Sequence, residues 1–301
     1  MHKLIIFIIS VLIYSSPAMA FKEKNMPENY PMCYDNDIDP KTFCPLEGKL
    51  GHKLYLVDFT SRWNKAQVDW INGRIFGKII EENIAPYHRV SYLKMDDTEP
   101  NSQKYSYSNC RFKSGKKSKK FPGDQVNERC EGRGPVLNVY NIWKNDLKNI
   151  ENGFFDTHNK DAKQSQLIEY ILNVLKEPKF NFLNDNPERE LIIVSDMMQY
   201  TNRINLYNFC RTPLDVNQKP NKCKSFEKLI KNKKIKRYFD TRKPENVENL
   251  KVNIFFMNHA YQTKCDLEES LETLWIDIFA YWGITNIKWN YVSDNTQSCT
   301  S

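Results

Sequence analysis

The sequence predicts an α/β fold, a doubly wound, mainly parallel sheet with helices on both faces. Three observations carry that expectation. Residues 54–58, 190–196 and 251–257 are short, continuous apolar runs, the pattern of strands buried on both faces. Segments with apolar residues at helical spacing separate them, and such alternation builds layered sheets. Hydrophobic residues make up 40%, aromatics 13% and charged residues 27% of the 301, so the chain can bury a sizeable core and is not a disordered polyampholyte.

The elements follow in order. Lys3, the apolar run over residues 4–14 and Ala18-Met19-Ala20 read as a secretory signal peptide over residues 1–20, with the mature chain exported to a periplasmic or secreted location. The run is shorter than the ~20 residues a membrane span takes. Residues 21–50, with Pro27, Pro31, Pro40 and Pro45, form a lead-in, and 51–301 a single domain. Strand 54–58 ends in Asp58, its end facing solvent, and helix 65–84 carries Val68, Ile71, Ile75, Ile79 and Ile80. A strand over 88–95 precedes a polar insertion at about 96–134 rich in Lys and Arg. Helices are expected over 140–155 and 161–177, then the strand ending in Asp196. A second basic insertion covers about 211–237. Strand 251–257, an amphipathic helix over 266–282 and a strand over 287–292 close the chain. In that helix Trp275 and Trp282 read as core, with Asp266, Glu268, Glu269, Glu272 and Asp277 as the wet face.

All eight cysteines lie beyond the signal, and an even count in an exported chain favours disulfides. Pairing sequence neighbours gives Cys33–Cys44, Cys110–Cys130, Cys210–Cys223 and Cys265–Cys299. The middle two would each tie off an insertion that shows no strand or helix pattern. A zinc site is disfavoured, since no CxxC occurs and no His lies near a Cys pair.

In an open parallel sheet, ligand sites collect beyond the carboxyl ends of the strands. Two such ends carry polar clusters, Asp58-Phe-Thr60-Ser61-Arg62 and Ser195-Asp196. Short oxygen ligands there suit a hard divalent cation. Capping of the following helices by Asp58 and Asp196 would call for the same residues. The chain resembles the von Willebrand factor A family over residues 52–292. That family's adhesion site uses a DxSxS motif after the first strand, a Thr before a later helix and an Asp after the central strand. Asp58 and Thr60 match the first two positions, Arg62 replaces the last Ser so that Ser61 stands in, Ser165 takes the place of the Thr, and Asp196 matches the final Asp.

The resemblance implies a Rossmann-like protein-binding domain without catalysis. Asp58, Thr60, Ser61, Ser165 and Asp196 would hold Mg²⁺ or Mn²⁺, with a partner protein's carboxylate completing the coordination. An accessory of an envelope, secretion or conjugation assembly is the implied setting. Two other readings stay open. One is a secreted hydrolase using the same acidic pocket, although no GxSxG, GxxxxGK[ST] or HExxH is present, and a Ser195, Asp196 and His259 triad rests on sequence order alone. The other is binding of an anionic polymer through the basic insertions, where Lys116, Lys117, Lys119 and Lys120 lie near Phe112 and Phe121. A net charge of +7 is far short of what a nucleic-acid-coating protein carries.

Overall fold

A computed structural model describes residues 38–39, 41–45, 51–61, 63–76, 83–96, 105–128, 131–155, 162–178, 180, 188–210, 222–257 and 265–292. Six strands form one mixed sheet: β1 (His52–Asp58), β2 (Arg89–Met95), β3 (Tyr107–Cys110), β4 (Arg189–Ser195), β5 (Leu250–Met257) and β6 (Asn286–Val292). Their order is β3-β2-β1-β4-β5-β6, with β3 antiparallel to β2 and every other pair parallel. The chain lays strands outward from β1 in one direction and then, from β4, in the other. β1 and β4 are therefore neighbours at the point where the strand order reverses, and a crevice beyond their carboxyl ends is the expected ligand position. Asp58 and Ser195 are the last residues of those two strands.

The described helices are α1 (Lys65–Ile75), α2 (Arg133–Phe155), α3 (Leu167–Lys176), α4 (Leu206–Phe209), α5 (Phe226–Ile230), α6 (Lys233–Asp240) and α7 (Cys265–Tyr281). Strand residues alternate between two cores. Leu54, Leu56, Leu191, Ile193 and Ile254 join one, which Ile168 and Ile171 of α3 and Leu271 and Trp275 of α7 close. Tyr55, Val57, Ile192 and Val194 join the other, closed by Ile71 and Ile75 of α1 and Tyr140, Trp143 and Leu147 of α2. Helices thus cover both faces, which is why the central strands read as continuous apolar runs. Each fully buried aliphatic or aromatic side chain contributes about 1.5–3 kcal/mol. Trp275 and Trp282 are core residues as expected, but Glu268, expected on the wet face of α7, is buried.

Both insertions are more ordered than tied-off loops. Cys44 is bonded to Cys110, a separation of 66 residues, so neither Cys33–Cys44 nor Cys110–Cys130 forms. The cause is β3. It extends the sheet beyond β2, Cys110 N–H donates to Thr42 O at 2.7 Å, and the ring of Phe43 meets Phe112 edge-on, so residues 42–44 of the lead-in lie along the new sheet edge. Cys210–Cys223 forms as expected. The expected Cys265–Cys299 bridge involves side chains outside the described residues. In the second insertion α5 and α6 bury Phe226, Leu229, Tyr238 and Phe239 against the first core. Helix α1 ends at Ile75, short of the expected 84, because Phe76 turns extended at its C-cap, and α3 starts at Leu167 because Ser165 is drawn into a two-way backbone bridge with Tyr200. The expected signal segment lies outside the described residues. No described helix is long and apolar enough to cross a membrane.

Candidate functional site

The loop after β1 is fixed at both ends. Phe59 N–H donates to Met95 O at 2.7 Å, continuing the β1 and β2 pairing past Asp58. At the far end Asn64 and Gln67 form a reciprocal capping box, each side chain accepting the other's backbone N–H at 2.9 Å. Between them the chain turns back on Asp58. Thr60 donates both its N–H (2.9 Å) and its hydroxyl (2.6 Å) to Asp58 Oδ1. The other oxygen, Oδ2, accepts the Ser195 hydroxyl at 2.7 Å, which joins the ends of β1 and β4 directly.

Asp196, one residue beyond β4, is the second acid at these strand ends. Its Oδ1 accepts Met198 N–H at 2.9 Å and its Oδ2 accepts the Ser61 hydroxyl at 3.3 Å. Met197 between them sits at φ 59°, a left-handed conformation in which a side chain with a Cβ is strained. Two bonds hold it there: Ser195 Oγ accepts Met197 N–H at 2.8 Å, and Trp275 Nε1 of α7 donates to Met197 O at 2.8 Å. The backbone after β4 is over-determined, so Asp196 is held close to the β1 loop.

Ser165 comes from a third segment. Ala162 N–H donates to Thr60 O at 3.2 Å, and Ser165 exchanges backbone hydrogen bonds with Tyr200 at 3.0 and 2.8 Å. These bonds lay residues 162–165 against both loops. The Ser165 hydroxyl is buried and makes no hydrogen bond among the described residues. An orphaned buried oxygen costs about 1–3 kcal/mol unless something occupies it.

Asp58 and Asp196 are each 1% exposed, so the expectation that the first acid faces solvent is wrong. The loops that follow fold over both carboxylates. Burial first, and then the neighbouring Asp196 charge, push the Asp58 carboxyl up to about 7, against the Thr60 and Ser195 hydrogen bonds that hold it down. The capping alternative does not hold. Helix α1 is capped by Asn64 and α4 by Asn205, and the two aspartates bond instead to their own loops and across to each other's strand end.

The donor set is two carboxylates and several hydroxyls. Among the described residues no three His, Cys, Asp or Glu side chains cluster as metal ligands. Thr60 and Ser61 point their hydroxyl protons at the carboxylates and keep lone pairs free, an arrangement that fits a hard, oxygen-seeking cation such as Mg²⁺. Of the expected ligands, Asp58 with Thr60 and Asp196 with Ser61 are paired by hydrogen bonds, while Ser165 is brought alongside through its backbone. Arg62 and His259 lie outside the described residues. Compared with known proteins, the chain matches no family model and no curated relative.

Two residues escaped the sequence reading. Ser195 was expected in the polar cluster with Asp196 and as a member of the triad alternative, yet it links the two strand ends. Its signal was register, since Val57 pairs with Val194 and the next step sets Asp58 against Ser195. Fully buried, with donor and acceptor both engaged, Ser195 holds the frame and is not presented as a nucleophile. Gln199 is the other. It accepts Ile168 N–H at 2.9 Å and donates to Glu169 at 2.8 Å, while Tyr238 of α6 donates to the same carboxylate at 2.8 Å. The second insertion thus braces the loop after Asp196.

Proposed function

We propose that this chain is an exported, Rossmann-like binding module of the von Willebrand factor A type, in which Asp58, Thr60, Ser61, Ser165 and Asp196 hold Mg²⁺ or Mn²⁺. A partner protein's carboxylate completes the coordination. The observation that carries the reading is a pair of buried carboxylates, bonded to hydroxyls and backbone N–H groups, where the strand order reverses. A divalent cation would offset the repulsion between Asp58 and Asp196 and give the buried Ser165 oxygen a partner. The antiparallel β3 edge on an otherwise parallel sheet, with strand order β3-β2-β1-β4-β5-β6, supports the fold assignment. Two disulfides support export, because such bridges persist in oxidising compartments. The role extends to an accessory of an envelope, secretion or conjugation assembly, to which export would deliver it.

Calorimetric titration with Mg²⁺ and with Mn²⁺ at pH 7.5 tests the cation. One site is expected, removed by Asp58→Ala and weakened by Ser165→Ala, the latter without loss of stability because that hydroxyl makes no hydrogen bond among the described residues. Absence of saturable heat with either ion rejects the reading.

A further inference from the structure

The first insertion contains a cleft of about 380 Å³, lined by Gly115, Lys116, Lys117, Gln125, Glu128 and Arg133. Its walls are anchored from beneath. Arg111 grips Asp124 with two bonds of 2.7 and 2.8 Å, and Ser114 N–H donates to the same carboxylate at 2.8 Å. Lys113 pairs with Glu131, and Gly115 bridges to Gln125. Gly115 is at φ +71°, and a Cβ there would press on Val126 at 3.3 Å and Val136 at 3.4 Å. Glycine therefore permits the turn that brings Lys116 and Lys117 to the cleft while the valines stay packed below.

The charges divide by depth. Arg111 and Lys113 are buried, and each is matched by an acid. Lys116, Lys117 and Arg133 line the cleft, are exposed, and make no ion pair among the described residues. Arg133 is the first residue of the 23-residue α2, whose dipole adds positive potential at the same wall. Against three cations stands only Glu128, and Glu128 and Gln125 are suited to accept hydrogen bonds from hydroxyl groups. Lys120 is engaged elsewhere, with Asn83 and over the Phe121 ring. The volume lies at the small end of the ~300–1,000 Å³ usual for ligand sites, the size of a sugar unit rather than a long polymer.

We propose that this cleft binds a sugar bearing phosphate or sulfate groups, its anions held by Lys116, Lys117 and Arg133 and its hydroxyls by Gln125 and Glu128. The site stands apart from the cation reading and does not depend on it. Titrating the full chain at low ionic strength with fructose 1,6-bisphosphate, a fully sulfated heparin disaccharide and glucose tests it. One saturable site is expected for at least one of the two anions, and none for glucose. Whichever anion binds identifies phosphate or sulfate as the recognised group. Lys116→Glu with Lys117→Glu, and separately Arg133→Glu, should each weaken binding at least about tenfold, the loss of one strong charge-assisted contact. Lys228→Glu with Lys234→Glu in the other insertion should leave it unchanged. The proposal is overturned if neither anion binds saturably, if glucose binds as well as they do, or if the distant reversal weakens binding as much as the local one. All these positions are exposed, so folding is expected to survive every variant.

Discussion

Two regions of this molecule bury charge to the same depth and resolve it in opposite ways. Beneath the first insertion, Arg111 meets Asp124 and Lys113 meets Glu131, so cation and anion cancel within the protein. At the ends of β1 and β4, Asp58 and Asp196 are two neighbouring like charges, and Asp58 meets hydroxyl and amide donors. The first arrangement is complete and has no use for a ligand. The second is held in place by its frame while Asp196 pushes the Asp58 carboxyl up. Burial alone therefore says little about function. The sign of what surrounds a buried charge separates a structural clasp from a site.

Breaking the clasp should have the largest effect. Asp124→Ala leaves Arg111 buried without its partner and should cost about 3–5 kcal/mol, read from urea unfolding. Replacing both, Arg111→Met with Asp124→Leu, should recover most of that loss, because no buried charge is then stranded. Next comes the Cys44–Cys110 bridge, which ties the lead-in to the sheet edge that the clasp supports. Cys44→Ala with Cys110→Ala should lower stability by about 2–4 kcal/mol.

The candidate site should respond with the opposite sign. Asp58→Asn removes one of two repelling charges, and in the absence of divalent cations it should raise stability at pH 7.5 by on the order of 1 kcal/mol. The pH dependence follows from the raised carboxyl. Between its ordinary value of 3.8 and about 7, the folded chain binds a proton that the unfolded chain has released. Stability from this group is therefore fully present below 3.8 and is lost as pH rises through about 7. Thermal unfolding across that range should show the decline in the parent chain and a flatter profile in Asp58→Asn. The frame of the site is tested by Trp275→Phe, which removes the donor to Met197 O together with part of the buried indole and should cost about 1–3 kcal/mol. It should also weaken Mg²⁺ binding, since Met197 fixes the position of Asp196.

Much of the fold was legible because burial on both faces leaves a simple imprint. Strands 54–58, 190–196 and 251–257 were expected within two residues of where they lie, since a chain covered by helices on each side has no polar alternation to interrupt it. The 266–282 helix was legible through its apolar stripe. The two insertions were misread as unstructured because their order comes from distant partners. Arg111 and Asp124 look like surface charges until the chain folds one onto the other, and Tyr238 and Phe239 sit within a run of lysines that masks their burial. Cysteine pairing failed at Cys44 for the same reason. Proximity in sequence is a poor guide once an antiparallel edge strand brings a remote segment alongside.

By itself the sequence determined the class of fold, the central strands and the acids and hydroxyls at their ends, because periodicity and residue chemistry are local properties. Only the tertiary structure decided that Asp58 and Asp196 are buried together, that Ser195 joins the two strand ends, that the Ser165 hydroxyl is left without a hydrogen bond among the described residues and that Cys44 reaches Cys110. Each of these depends on which strands become neighbours. That choice is made by the packing of two cores across a sheet, where residues more than a hundred positions apart come within hydrogen-bond reach.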